Sequence, residues 1–231
     1  MIVLLWHLRK NLIFDVRIDI ESKIMKYSLI ILAGQIVFLL GTTLDLVLLR
    51  VLLRNPTYVG YYNAGIRIPT MIQTMFISQL SIPFLYYFSH AESYQSREKI
   101  VEFGTRMLGI ICGIISIILF SFADKFILLL FGQGYSESIQ VLRIYSLILY
   151  ILGFTVLFGP FYFSKNKPII TVLLGLFTIS LLFILNVVLI PYFKSVGPAI
   201  SMLSGLIIYA LVITHMIEKH KIKCFKNFIV L

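Results

Sequence analysis

Acidic side chains are the scarcest chemistry in this chain. Ten Asp and Glu occur among 231 residues. Nine of them (Asp15, Asp19, Glu21, Glu92, Glu98, Glu102, Asp124, Glu137 and Glu218) fall between or at the ends of apolar runs. No two carboxylates therefore share one depth inside a run, and paired acid/base catalysis has no footing. Cysteine is nearly absent: Cys112 lies in an apolar run and Cys224 in the tail, with no CxxC. This argues against a disulfide framework or a cysteine-held metal. The four histidines, His7, His90, His215 and His220, are scattered and read as interfacial or solvated side chains. HExxH, GxSxG and a Walker loop are missing, so neither an enzyme nor a cofactor is expected.

What the chain does have is grease. It is 59% hydrophobic and 13% charged, with a mean hydropathy of +0.97. A soluble domain is about 45–50% apolar and about 25% charged. Apolar runs near 20 residues recur, which defines the helical class of membrane protein and not the barrel class. The net charge of +10 is no nucleic-acid signal, because Lys and Arg cluster between the runs, where they set orientation.

Six spans are predicted, at about 27–49, 63–88, 107–123, 139–163, 169–190 and 198–217. Residues 1–26 precede them. Met1 to Trp6 reads as the end of a helix begun upstream, and Phe14 to Lys26 as a charged amphipathic connector. Residues 218–231 form a basic tail suited to the membrane surface. Fourteen Lys and Arg fall on the side of the first connector, the 90–106 and 164–168 loops and the tail; six fall on the other. The excess puts both termini in the cytoplasm.

Within this grease, a few polar residues stand out. Asp45 lies inside the first span, beyond Gly34 and Gly41 on one helical face. Arg67 sits in the first turns of the second span, which also carries Gln73, Gln79, Ser81, Pro69 and Pro83. Insertion scales put a charge at mid-membrane at about 2.5–3.5 kcal/mol, so such residues usually face a partner or a wet cavity. Asp45 and Arg67 are read as a pair, either static glue between two helices or part of a transport pathway. Asp45 could instead couple a proton or sodium ion. Arg143, near the start of the fourth span, is a weaker pathway candidate and reads more simply as a side chain snorkelling to the interface. Asn186 is the polar residue of the fifth span. An ATP-independent carrier needs only a polar cavity and movable helices, and spans broken by Gly and Pro suit one.

The order of several stretches adds to this reading. Asp45 is followed by VGYYNAGIRIP (Val59 to Pro69), then LSIPFLYYFS (Leu80 to Ser89), LLFGQGYSES (Leu129 to Ser138) and NVVLIPYFKSVGPAIS (Asn186 to Ser201). The set resembles the second half of Wzx-type polysaccharide flippases of the multidrug/oligosaccharidyl-lipid/polysaccharide (MATE-like) superfamily. The resemblance covers about Phe14 to Met216. It departs at Pro198, where the family usually has alanine. The resemblance implies an all-α bundle of six transmembrane helices, the second bundle of a 12–14-helix transporter in the bacterial inner membrane. The implied activity is flipping of undecaprenyl-diphosphate-linked oligosaccharide units for O-antigen or capsule. The implied partners are that lipid, the bilayer, and a missing first half or a second copy. Arg67 would then contact the diphosphate or sugar. The alternatives are a multidrug or metabolite exporter of the same superfamily, or a membrane glycan polymerase. The polymerase reading would be favoured by a large charged extramembrane loop, which this sequence does not show.

Overall fold

The computed structural model describes residues 18–91, 93–165 and 168–218. The expectations for the N-terminal segment up to Arg17, for His7 and His220, for Cys224 and for the basic tail lie outside them. The described residues are helical almost throughout, without strands. They include five continuous helical runs long and apolar enough to cross a membrane. The last, Pro168–Ile213, is 46 residues long and folds back on itself. The fold is an all-α membrane bundle.

Helix α1 spans Ile18–Leu53. It ends at Arg54, which adopts a left-handed φ of 53°, and the chain turns at what we call the upper end of the bundle. Asn55 then caps α2 (Pro56–Ile72): its backbone is extended and its side-chain oxygen accepts from Thr57 N at 3.0 Å. Pro56 fills the first helical position, where no N–H is needed. A π turn, Gln73–Ile77, links α2 to α3 (Ser78–His90). Helix α4 (Tyr94–Ser121) returns upward, capped by Ser93, whose hydroxyl accepts from Ser96 N at 3.1 Å. The helix thus takes in most of the polar stretch predicted as a connector. Its Glu102–Arg106 pair, 3.9 Å apart and half exposed, contributes little.

At the upper end the short helix α5 (Ala123–Phe131) and a 3₁₀ turn, Gln133–Tyr135, lead to α6 (Ser138–Thr155). The fourth run breaks at Val156–Leu157 and resumes as α7 (Phe158–Ser164). Helices α8 (Pro168–Phe193) and α9 (Gly197–Glu218) form an antiparallel hairpin about a 3₁₀ turn, Lys194–Val196.

Small residues set the closest approaches, as expected where no hydrophobic force pulls helices together in lipid. A Cβ on Gly65 of α2 would stand 2.5 Å from Val141 Cβ and 2.9 Å from the Ser138 carbonyl of α6. That seat fixes which face of α2 meets the bundle. Tyr62, Gly65 and Pro69 point in, and Asn63, Arg67 and Thr74 are exposed. Two buried cores lie one above the other. The upper holds Leu49, Tyr62, Val141, Tyr145 and Ile190. The lower is aromatic and holds Phe84, Phe88, Leu157, Phe158 and Phe161.

Candidate functional site: a buried carboxylate cluster behind an exposed arginine face

Four helices meet at Asp45, which is 6% exposed. On α1, Asp45 and Leu49 are one turn apart and both face inward. On α8 the buried stripe runs Leu182, Asn186, Ile190, so one amide interrupts an otherwise apolar line. Asn186 Nδ2 donates to Asp45 Oδ1 at 2.7 Å. The Tyr62 hydroxyl of α2 donates to Asp45 Oδ2 at 2.8 Å. Its one proton is then committed. The Tyr145 hydroxyl of α6, 2.7 Å away, must therefore donate to Tyr62. The chain of donors runs from Tyr145 through Tyr62 to the carboxylate, where it meets Asn186.

One lone acceptor remains. Asn186 is fully buried, and its Oδ1 has no hydrogen-bond partner. A buried amide oxygen left open beside a carboxylate breaks the usual rule that buried polar atoms are satisfied. The carboxylate also forms part of the wall of a cavity of about 530 Å³. Its polar lining includes Asp45, Tyr62, Tyr145, Thr70 and Gln73; Ile31, Phe163 and Pro168 mark its lower reach. The cavity runs down the α1 face that carries Gly34 and Gly41, where α1 lies close against Val172 and Ile179 of α8.

The expected pairing of Asp45 with Arg67 does not occur. Tyr62 and Arg67 are five residues apart, about 140° around a helix at 3.6 residues per turn. Tyr62 turns in to Asp45, so Arg67 turns out, and it is exposed. It lies 11 positions below Pro56, or about 16 Å at 1.5 Å per residue, inside the 35-residue apolar run Pro56–His90. Asn63, Arg67 and Thr74 recur at spacings of four and seven on this outer face, with Ser78 and Gln79 exposed below them. Helix α2 thus separates a largely apolar cavity, lined in part by Gln73, from an exposed face that carries Arg67.

Arg143 joins neither surface. It is exposed, and its guanidinium lies 5.9 Å from the centre of the Phe120 ring. Asn186 bonds Asp45, and Gln73 lines the same cavity farther down α2. Tyr62 and Tyr145 were not singled out from the sequence. Nothing in the local pattern distinguishes them among thirteen tyrosines; Tyr62 falls within the VGYYNAG stretch, but the contact with Tyr145 spans 83 positions.

These observations define a multi-pass, all-α membrane bundle with a buried carboxylate hub and an exposed arginine on a neighbouring helix. The family profile described as "Lipid II flippase MurJ" matches residues 1–231. The chain belongs to that family, a lipid-linked flippase family of the superfamily the sequence resembled. No curated protein and no solved structure matches the chain.

Proposed function

We propose that the chain moves, as one bundle of a larger assembly, a polyprenyl-diphosphate-linked saccharide across the inner membrane, acting as a carrier and not as an enzyme. The observation that carries the reading is Arg67: an exposed guanidinium within a membrane-length apolar run, with Asn63, Thr74, Ser78 and Gln79 also exposed along it. Arginine's planar fork suits a phosphate, and a low-dielectric setting strengthens the attraction. Lipid exposure would be costly, so this face meets a water-filled vestibule closed by a facing bundle, either a first half or a second copy. Family membership favours the peptidoglycan precursor lipid II as cargo. O-antigen or capsule units carry the same diphosphate lipid and form the second cargo class. The excess of Lys and Arg toward the lower end orients that end, with both termini, to the cytoplasm.

A second role falls to Asp45. The open Asn186 Oδ1 beside the carboxylate, two phenol oxygens nearby and a cavity leading to them together support a coupling site for a proton or a small monovalent cation.

Native mass spectrometry of the purified chain tests the cargo reading. A polyprenyl-diphosphate saccharide should bind about tenfold or more over the corresponding monophosphate, because one further charge-assisted contact contributes ~1.5–3 kcal/mol. Equal binding of the two lipids would remove the diphosphate from the account.

A further inference from the structure

Thr74 and Gln79 are five positions apart, a spacing that turns two side chains about 140° from each other in an α-helix. Here the Gln79 side chain nevertheless reaches back to Thr74: its Nε2 lies 3.4 Å from the Thr74 carbonyl oxygen. The π turn between them is the cause. Ser78 N–H bonds to Gln73 O, one residue farther back than an α-helix allows. The turn thus holds one inserted residue, a form that recurs at functional sites. Five positions across it count as four, and residues four apart share a face.

The packing below follows the same count. Pro69 is buried on the inner face of α2. The buried residues beyond it are Ile77 in the turn and Phe84 and Phe88 in α3. They lie 8, 15 and 19 positions after Pro69. Less the inserted residue these become 7, 14 and 18, close to whole turns at 3.6 residues each. The insertion therefore keeps one buried face continuous from α2 into α3.

The outer face is kept continuous as well. Arg67 and Thr74 are seven apart, Thr74 and Gln79 five across the turn, and Gln79 and Tyr86 seven apart. All four are exposed. They stand in line, with the apolar Ile82 between the last two. No charged residue occurs between Arg67 and His90.

The turn also leaves an acceptor open. In an α-helix Ser78 N–H would serve Thr74 O. Here it serves Gln73 O, and the 3.4 Å contact from Gln79 is a long bond. The Thr74 hydroxyl turns away, donating to Thr70 O at 2.9 Å. At this level the face presents a loosely held backbone carbonyl and a primary amide that both donates and accepts. Hydrocarbon does not tolerate an open carbonyl. The pair suits a neutral partner that also donates and accepts, such as the hydroxyls of a sugar ring, and offers a phosphate no charge.

We propose that the π turn forms a saccharide subsite, in which Thr74 O and the Gln79 amide bind a sugar of the cargo. This rests on the reading of Arg67 as the diphosphate contact. Gln79 lies 12 positions below Arg67, or 11 without the insertion, about 16 Å. The sugars thus extend from the diphosphate toward the lower end of the bundle.

Native mass spectrometry of the purified full chain tests this with three lipids: a polyprenyl monophosphate, the bare polyprenyl diphosphate and the polyprenyl-diphosphate saccharide. The intact chain should bind the saccharide lipid roughly fivefold more tightly than the bare diphosphate, as one or two neutral hydrogen bonds allow. Gln79→Leu should erase that preference and leave the bare diphosphate's affinity unchanged. Arg67→Gln should weaken both diphosphate lipids alike and keep the preference. Deleting Met75 makes the turn regular, keeps α3 in register and gives Thr74 O a backbone N–H; it should reduce the preference. Should Gln79→Leu fail to fold, Gln79→Asn, which draws the amide back by one carbon, takes its place with the same expected loss. Equal binding of the two diphosphate lipids by the intact chain overturns the subsite, as does a preference that survives at full size in the Gln79 variant. A preference untouched by the Met75 deletion removes the carbonyl from it. Failure of the diphosphate reading looks different: the bare diphosphate then binds no better than the monophosphate, and a sugar preference erased at Gln79 would still locate the saccharide.

Discussion

Arg67→Gln should reduce transbilayer movement of the lipid-linked cargo by roughly 10²–10³-fold at unchanged protein level, the usual loss when one preorganised charged contact is removed from a water-poor site. Glutamine keeps the length and a hydrogen-bonding head, so what is lost is the charge and the fork. Folding should not suffer. The side chain is exposed and turned away from the Asp45 cluster. Arg67→Lys should fall between the two, because lysine keeps the charge without the planar pair of donors. Transport by reconstituted protein, with monodispersity by size-exclusion chromatography as control, checks all three. Unchanged transport in a well-folded Arg67→Gln variant would show that the exposed face does not meet the cargo.

Asp45→Leu should act in the opposite way, on stability first. It leaves the Tyr62 hydroxyl and the Asn186 amide, both buried, without their acceptor. Each orphaned buried donor costs ~1–3 kcal/mol. Hydrogen bonds in membrane bundles measure weaker than this, because the denatured helices also find partners. The expected loss is therefore about 2–4 kcal/mol. The repair is as informative as the damage. Adding Tyr62→Phe, Tyr145→Phe and Asn186→Leu removes every orphan, and replacing a whole buried polar network by apolar groups of similar size is often neutral. The quadruple variant should regain most of the stability without regaining coupled transport. Thermal unfolding in detergent separates the two variants. If the quadruple variant is no more stable than Asp45→Leu alone, the cluster holds the four helices by packing and not by its hydrogen bonds.

Several of these features were visible in the residues. A carboxylate within an apolar run names itself, since hydrocarbon tolerates no idle charge, and Asp45 is indeed the hub. Its partners were hidden for a geometric reason. Asp45 and Arg67 are the two charges nearest each other in adjacent spans, so pairing them is the natural expectation. What decides the matter is which face of α2 turns inward, and that is set by Gly65 seating on α6, a contact 76 positions away in sequence (Gly65 to Val141). Once Gly65 faces in, Tyr62 goes with it and Arg67 cannot. Asn186 was legible as the lone amide of its span, whereas Tyr145 was not, because interfacial tyrosines are ordinary in membrane proteins. The breaks divide likewise. Pro160 announces the second one, but no residue type marks a π turn, so QTMFI reads as plain helix until Ser78 is seen bonding Gln73.

The transbilayer assay itself comes nearest to the central claim. The chain, alone and with a co-expressed facing bundle, would be reconstituted into vesicles holding a fluorescent polyprenyl-diphosphate saccharide, and the fraction reaching the other leaflet followed with a membrane-impermeant quencher. The account predicts protein-dependent movement in at least one of these preparations, saturable by unlabelled diphosphate lipid and abolished by Arg67→Gln. Movement no faster than in protein-free vesicles in both, from a monodisperse bundle that still binds the lipid, would contradict it.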